Sequence, residues 1–315
     1  MITFLYCIDS NYNSQAVTSI NSLILNSSQQ FKVIIIHKNP ESFLHFKNKL
    51  ISEENLVDLK VIKFINPGYE LPGLEGAHVS EATYYRLFLT QILDFSIEKL
   101  IYLDADVVCV NNPFPQLDKE YSNFEESGFQ IGVKTTNVYE NDPKITMFSR
   151  LNIFSKYFNA GVMFINYNEW IAENLSIKLL DTLEAISDKI EYWDQDVLNT
   201  YFDGNYFEIN ETFNYLLDIN SNFSINEIRE IEKKTFFHYV GSLKPWSVSG
   251  ALKETSKYYH HFYKESGLGT YHIVSKWKTN DLKIILNAIK NSELNKLNSP
   301  VKFLWGCLKS LILGK

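Results

Sequence analysis

Cysteine is scarce in this chain. Cys7, Cys109 and Cys307 are scattered and odd in number. They match no metal-ligand spacing and suggest a reducing compartment. Long apolar runs are also missing. The run from Ile2 to Ile8 has no basic residue before it and stops at Asp9, so neither a signal peptide nor a transmembrane helix is expected there. No other stretch is long enough to span a bilayer. Positive charge is in deficit, with a net charge of −7, which argues against nucleic-acid binding. There is no internal repeat.

What the chain does have is size and aromatic content. Its 315 residues are 45% hydrophobic and include 19 Tyr and 22 Phe, enough for one large α/β domain or for a domain plus an appendage. Aromatic rings suit a sugar-binding cleft, and an AT-rich genome gives the same composition. The charge is unevenly spread. From Lys276 to Lys315 there are eight Lys against Asp281 and Glu293, a local excess of +6, while the remainder carries −13. A basic tail follows an acidic body.

The N-terminal third alternates between the two hydrophobic periods. Residues 2–8, 31–37 and 59–65 read as strands, and 14–25 and 42–52 as helices. That order implies a parallel, Rossmann-like arrangement. Ser80 reads as the N-cap of a helix to about Leu93. Residues 99–103 and 158–167 are further strands, with helices over 169–187 and 193–202. In the tail, helices are expected over 280–291 and from the Ser299-Pro300 pair onward. The last would put Val301, Leu304, Trp305, Leu308, Leu311 and Ile312 on one face and Lys302 and Lys309 on the other. A basic amphipathic helix with an aromatic residue suits an anionic membrane surface; docking onto the body or onto a partner subunit is the alternative.

The chemistry concentrates at Leu100-Ile101-Tyr102-Leu103-Asp104-Ala105-Asp106. Two carboxylates at the end of a buried strand need a partner or a cation, and ligands of open α/β sheets bind beyond the carboxyl ends of strands. Composition alone yields about one Asp-x-Asp in a chain this long, and Asp194-Gln195-Asp196 is a second match. Context therefore decides. Asp9, Asn11 and Tyr12 end the first strand with groups that can hold a base and ribose, or form an ordinary polar turn. His78, Thr83 and Arg86 precede the Asp-x-Asp strand; Arg86 can meet a phosphate or fix a carboxylate. Asn159-Ala160-Gly161 opens a strand with an amide and two small residues that allow close approach. Asp194, Gln195 and Asp196 lead a helix, where capping is the plain explanation. His238, Gly241 and Lys244 offer an imidazole, an approachable backbone and a cation.

Taken together and in this order, Asp9/Asn11, TYYRL with Thr83 and Arg86, YLDADV, FNAGV, WDQD and HYVGSLKPW resemble glycosyltransferase family 8 over about residues 2–250. The resemblance implies a GT-A fold: a single Rossmann-like mixed sheet flanked by helices. A catalytic domain over 1–250 would be followed by a basic helical extension over 251–315. It implies a UDP-sugar donor and Mn²⁺, with Mg²⁺ as the alternative cation. Asp104, Asp106 and His238 would be metal ligands, with Ala105 between them at the donor. Asp9, Asn11 and Tyr12 would hold uridine, and Gly241 and Lys244 the diphosphate. Thr83, Arg86, Asn159, Ala160, Asp194 and Gln195 would surround the donor sugar, and His78 would face the acceptor. Gln195, Asp194, Asp196 and Arg86 are the catalytic candidates.

The expected reaction is retaining hexosyl transfer, galactose or glucose, onto a glycan acceptor. Gln195 would lie beneath the anomeric carbon, and front-face attack is favoured because an amide is a poor nucleophile. A hydrolytic or non-catalytic UDP-sugar-binding protein is the alternative. The sequence departs from the family at Lys134-Thr135-Thr136, where an acidic or polar sugar-binding residue is often found. The expected location is the cytoplasm, peripheral on the inner face of the membrane. No oligomeric state is implied.

Overall fold

The computed structural model describes residues 1–51, 53–73, 80–93, 96–136 and 147–313. Its strands are β1 (Ile2–Ile8), β2 (Phe31–His37), β3 (Leu56–Lys63), β4 (Lys99–Leu103), β5 (Val107–Cys109), β6 (Ile131–Thr135), β7 (Phe158–Ile165), β8 (Phe207–Glu208), β9 (Tyr215–Leu217) and β10 (Phe236–Tyr239). The chain divides into two compact units.

The first unit comprises Met1–Asn13, Ser27–Ala105 and Asn112–Asn214. Its seven-stranded sheet has the order β3-β2-β1-β4-β7-β6-β8. β3, β2, β1 and β4 run parallel, as the strand–helix alternation implies. β7 runs antiparallel to both β4 and β6, which makes the sheet mixed. β1 is buried along its whole length, in keeping with a central strand covered on both faces. Trp170, Leu179, Leu180 and Leu183 pack in the same core as Tyr85, Tyr102 and Met163.

Two helices differ from their expected form. Ser80 does cap, accepting from the Ala82 amide at 3.2 Å. The capped segment is a 3₁₀ helix over Glu81–Phe88, continued by only a short α-helix over Leu89–Ile92. Three residues per turn align Thr83 with Arg86 along one edge. The expected helix over 169–187 is split into Tyr167–Ala172 and Leu175–Ala185. The break falls at Asn174, whose φ of +52° is left-handed and ends a helical run.

The second unit comprises Ser14–Asn26, Asp106–Asn111 and Tyr215–Lys315. Its three-stranded sheet has the order β5-β10-β9, with β10 antiparallel to β5 and parallel to β9. Both tail helices form, over Thr279–Lys290 and Pro300–Leu313. The last helix packs through Phe303, Cys307 and Ser310, and Ser310 Oγ accepts from the Trp277 indole at 3.0 Å. The face grouped from the sequence points outward: Val301, Trp305, Leu308, Leu311 and Ile312 are exposed, and Leu304 is half-buried. All three cysteines are buried free thiols. Among the described residues, no helix is long and apolar enough to cross a membrane.

Candidate active site

In the first unit, the carboxyl end of β1 delivers Asp9. Its Oδ1 accepts from the Asn11 amide at 2.8 Å and caps the short turn Ser10–Tyr12. The plain turn reading is therefore correct for this backbone. Asn11 remains exposed and Tyr12 half-buried, so both keep side-chain surface for a ligand.

The end of β4 delivers Asp104. Its amide continues the ladder to Gly161 O at 2.8 Å. Its carboxylate accepts from the Tyr102 hydroxyl at 2.6 Å. Arg86 lies 4.0 Å over the Tyr102 ring and 3.9 Å from Asp104 Oδ1. Arg86 is buried and bonds Asp194 through Nε and Ala160 O through Nη1, the latter at 2.6 Å. Burial works against the guanidinium charge, but Asp194 and Asp104 outweigh it and hold the Arg86 pKa above its usual range. Of the two readings open for Arg86, the carboxylate-fixing one describes this structure. Burial raises the Asp194 pKa, and Arg86 and the Thr83 hydroxyl oppose that rise.

β7 and the helix Trp193–Phe202 bring the next group together. Gln195 Oε1 accepts from the Ala160 amide at 3.0 Å and lies 3.4 Å from Asn159 Nδ2. Its Nε2 donates to the Tyr157 hydroxyl at 3.2 Å. The helix begins at Trp193 with φ +48°, a left-handed conformation unfavourable for a bulky side chain. Such strain, of order 1–3 kcal/mol, collects at functional sites. Asp194 and Asp196 are buried while Gln195 is half-buried. Asp196 is saturated: it accepts from Arg150 Nη1 at 2.8 Å, Tyr157 at 2.7 Å, and the amides of Glu191 and Tyr192 at 2.8 and 2.9 Å.

Sequence reading missed Tyr102, Arg150, Tyr157 and Asn214, the last of which donates to Asn159 Oδ1 at 3.0 Å. Three are members of no motif, and the tyrosines are hidden among many. The departure at Lys134-Thr135 also gains an explanation. Both residues bond Glu208 on the adjacent β8, so an acidic group stands there from another strand. His78 lies outside the described residues.

In the second unit, Asp106 directly precedes β5, and its carbonyl accepts from the Tyr239 amide at 3.2 Å. This pairing sets it beside β10, which carries His238. His238 Nε2 lies 3.3 Å from Asp106 Oδ1, and Lys244 Nζ donates to Asp106 Oδ2 at 2.8 Å. Burial would raise the Asp106 pKa, but Lys244 and His238 hold it below the usual carboxylate range. Asp106 Oδ1 is buried and accepts no hydrogen bond. A buried carboxylate oxygen left without a donor suits a cation, and carboxylate with imidazole is a donor set that divalent metals accept. Gly241, at φ +83° with open space around its Cα, makes the turn that brings Lys244 back to Asp106.

Similarity to known proteins gives first the class, a glycosyltransferase, and then the family. The chain belongs to glycosyltransferase family 8, whose profile matches residues 3–250. It is 28% identical over 267 residues to a lipopolysaccharide 1,2-glucosyltransferase of Escherichia coli K12, across 81% of this chain and 75% of that protein. It is 30% identical over 173 residues to a lipopolysaccharide 1,3-galactosyltransferase of Salmonella typhimurium LT2, across 54% of this chain and 50% of that protein. In fold it is similar to the galactosyltransferase LgtC, solved with donor and acceptor sugar analogs. That match has a TM-score of 0.65 at 20% identity and covers 84% of this chain and 96% of LgtC. The architecture is the GT-A fold.

Proposed function

We propose that this chain is a retaining, Mn²⁺-dependent hexosyltransferase that moves galactose or glucose from a UDP-sugar to a hydroxyl of a glycan acceptor. The observation that carries this reading is the environment of Asp106. A buried oxygen without a hydrogen bond faces an imidazole, and an ammonium holds the other oxygen. Asp106 and His238 would hold the cation, and Asp104 is the third ligand that the family resemblance implies. Bound there, a divalent cation neutralises charge on the leaving diphosphate.

The protein's own groups do the rest. Asp9, Asn11 and Tyr12 hold uridine. Lys244, with the Gly241 backbone, binds the diphosphate and stabilises the charge that grows as the glycosidic bond breaks. Thr83, Arg86, Asn159 and Ala160 line the sugar. Gln195 turns its amide oxygen toward the anomeric carbon, where an oxocarbenium-like charge develops. Asp194 is engaged by Arg86, and Asp196 by four donors. Neither is free to act as a nucleophile, which favours front-face attack: the acceptor hydroxyl bonds the anomeric carbon as the phosphate departs and takes its proton. His78 is assigned to the acceptor.

The relatives' names cover both hexoses. The acceptor is a lipooligosaccharide, a polysaccharide or a surface glycoprotein glycan. UDP release from UDP-galactose and UDP-glucose, measured with Mn²⁺ and with a chelator, tests the reading. Metal-independent cleavage would overturn it, and binding without turnover would favour a non-catalytic sugar-nucleotide protein.

The proposed location is cytoplasmic, peripheral on the inner face of the membrane. Support comes from the last helix, whose Val301, Trp305 and Ile312 are 79%, 65% and 72% exposed. A cavity of about 610 Å³ lined by Lys253, Lys257, Lys264, Lys296 and Lys302 adjoins it, suited to phosphate headgroups. The protein should sediment with phosphatidylglycerol vesicles and not with phosphatidylcholine vesicles, and Lys296→Glu/Lys302→Glu should abolish this. Equal binding to both would count against the membrane contact.

A further inference from the structure

The Gln195 carboxamide is gripped at both ends by groups of opposite character. On one side stands the Ala160 amide, which can only donate, 3.0 Å from Oε1. On the other stands the Tyr157 hydroxyl, 3.2 Å from Nε2. A hydroxyl can donate or accept, so the second contact alone would not orient the amide. What removes the ambiguity lies one bond further out. The Tyr157 hydroxyl donates to Asp196 Oδ1 at 2.7 Å. The single tyrosyl proton is spent there, and only a lone pair is left to face Gln195.

Asp196 is in turn held in place. Arg150 reaches both of its oxygens, Nη1 to Oδ2 at 2.8 Å and Nη2 to Oδ1 at 3.3 Å. The Glu191 and Tyr192 amides add two further donors to Oδ2. Tyr157 is 2% exposed and Asp196 fully buried, so water does not compete. If the Gln195 amide flipped, NH₂ would meet the Ala160 N–H and the oxygen would meet a tyrosyl lone pair. Both contacts would turn repulsive.

We propose that Tyr157, fixed by the Arg150–Asp196 pair, is a positioning residue that sets which end of the Gln195 carboxamide faces the sugar. This rests on the role given to Gln195 above. The oxygen is the catalytically useful end, because an amide oxygen stabilises positive charge at the anomeric carbon while an NH₂ group repels it. The motif Asp194-Gln195-Asp196 thus divides its labour. The middle residue meets the donor, and the outer two brace it through Arg86 and Tyr157.

Tyr157→Phe tests this. Asp196 keeps Arg150 and two amides, so the variant should fold, and circular dichroism and a thermal melt verify that. Its kcat should fall about tenfold, the scale of one lost hydrogen bond near a developing charge, with the donor KM within twofold of wild type. In a Gln195→Ala background the same change should cost nothing further. Independently of turnover, the Gln195 side-chain ¹⁵NH₂ resonance, assigned by its loss in Gln195→Ala, should shift and exchange faster with water in Tyr157→Phe. An unchanged resonance, a loss carried by KM, or the same loss in the Gln195→Ala background would each overturn the proposal. Full activity in Gln195→Ala alone would instead sink the catalytic role of Gln195, leaving the NMR result to judge the orientation.

Discussion

The Tyr102 hydroxyl donates to Asp104 Oδ1 over 2.6 Å, and the Arg86 guanidinium sits 4.0 Å above the same ring. Tyr102 is a β4 residue that points its polar end back at the carboxylate two positions on. If Asp104 binds the proposed cation, this hydrogen bond fixes its rotamer before the cation arrives. Tyr102→Phe should therefore weaken Mn²⁺ activation about tenfold while leaving kcat at saturating metal nearly intact. A Mn²⁺ titration of UDP release reads both numbers, and a drop in saturated kcat alone would reassign Tyr102 to the chemistry.

Arg86 and Asp194 form a pair whose side chains are 3% and 2% exposed. Removing one member of such a pair strands the other charge in a dry interior, at a cost of about 3–5 kcal/mol. Arg86→Met should lower stability by that amount in urea unfolding. Arg86→Met/Asp194→Leu should recover much of the loss, because an apolar pair has no charge to desolvate. Neither variant should regain transferase activity, since Asp104 and the Ala160 carbonyl lose their cation as well. Recovery of activity with stability would mean that Arg86 is structural alone.

Much of this architecture is legible in the sequence. The strands at the N-terminus, the Ser80 cap and the two tail helices are all local events, set by hydrophobic period, capping and the Ser299-Pro300 start. The order of motifs carries the family. The hidden features need pairing across long separations. β7 running antiparallel beside β4 arises from tertiary contacts and not from its own apolar pattern. Gly241 reads as a place for backbone approach, but its left-handed turn cannot be inferred from composition. Tyr157 and Arg150 escape because their value lies in Asp196, 39 and 46 residues away. The outward face of the last helix is legible as a group, whereas the inward Phe303–Cys307–Ser310 stripe is not, because a helix with apolar residues on two sides has no single apolar direction.

Lys244 and the proposed cation would compete for Asp106. In this structure the ammonium is 2.8 Å from Oδ2, so it opposes the approach of another positive charge until a diphosphate is present to attract it. Lys244→Met should therefore tighten Mn²⁺ binding in the absence of nucleotide, as followed by Mn²⁺ electron paramagnetic resonance. The same variant should lower kcat about 100-fold, by loss of a charge aimed at the leaving group. Weaker Mn²⁺ binding in the free variant would mean that Lys244 supports the carboxylate instead of competing for it.

The second unit carries a pH-sensitive element in its core. His260 is buried, donates through Nε2 to Pro245 O at 2.9 Å and accepts at Nδ1 from the His272 amide at 3.4 Å. Those partners, one an acceptor and one a donor, specify a neutral ring. Burial drives its pKa down to about 4, against the Pro245 contact. His272, buried against Tyr259 and Tyr263, is lowered to about 3 by burial and by its neighbour His260. Both rings are depressed below the unfolded value of 6.5. Their stabilising contribution is thus full above that pH and falls as the unfolded chain alone takes up protons, until the folded rings also protonate near pH 4 and 3. Each ring adds a slope of about 1.4 kcal/mol per pH unit in that window. Urea unfolding between pH 7.5 and 4.5 should show this loss on the acid side. His260→Gln keeps a donor and an acceptor without a titrating ring, so it should flatten the profile by about one proton. An unchanged slope in His260→Gln would assign the acid sensitivity to other groups.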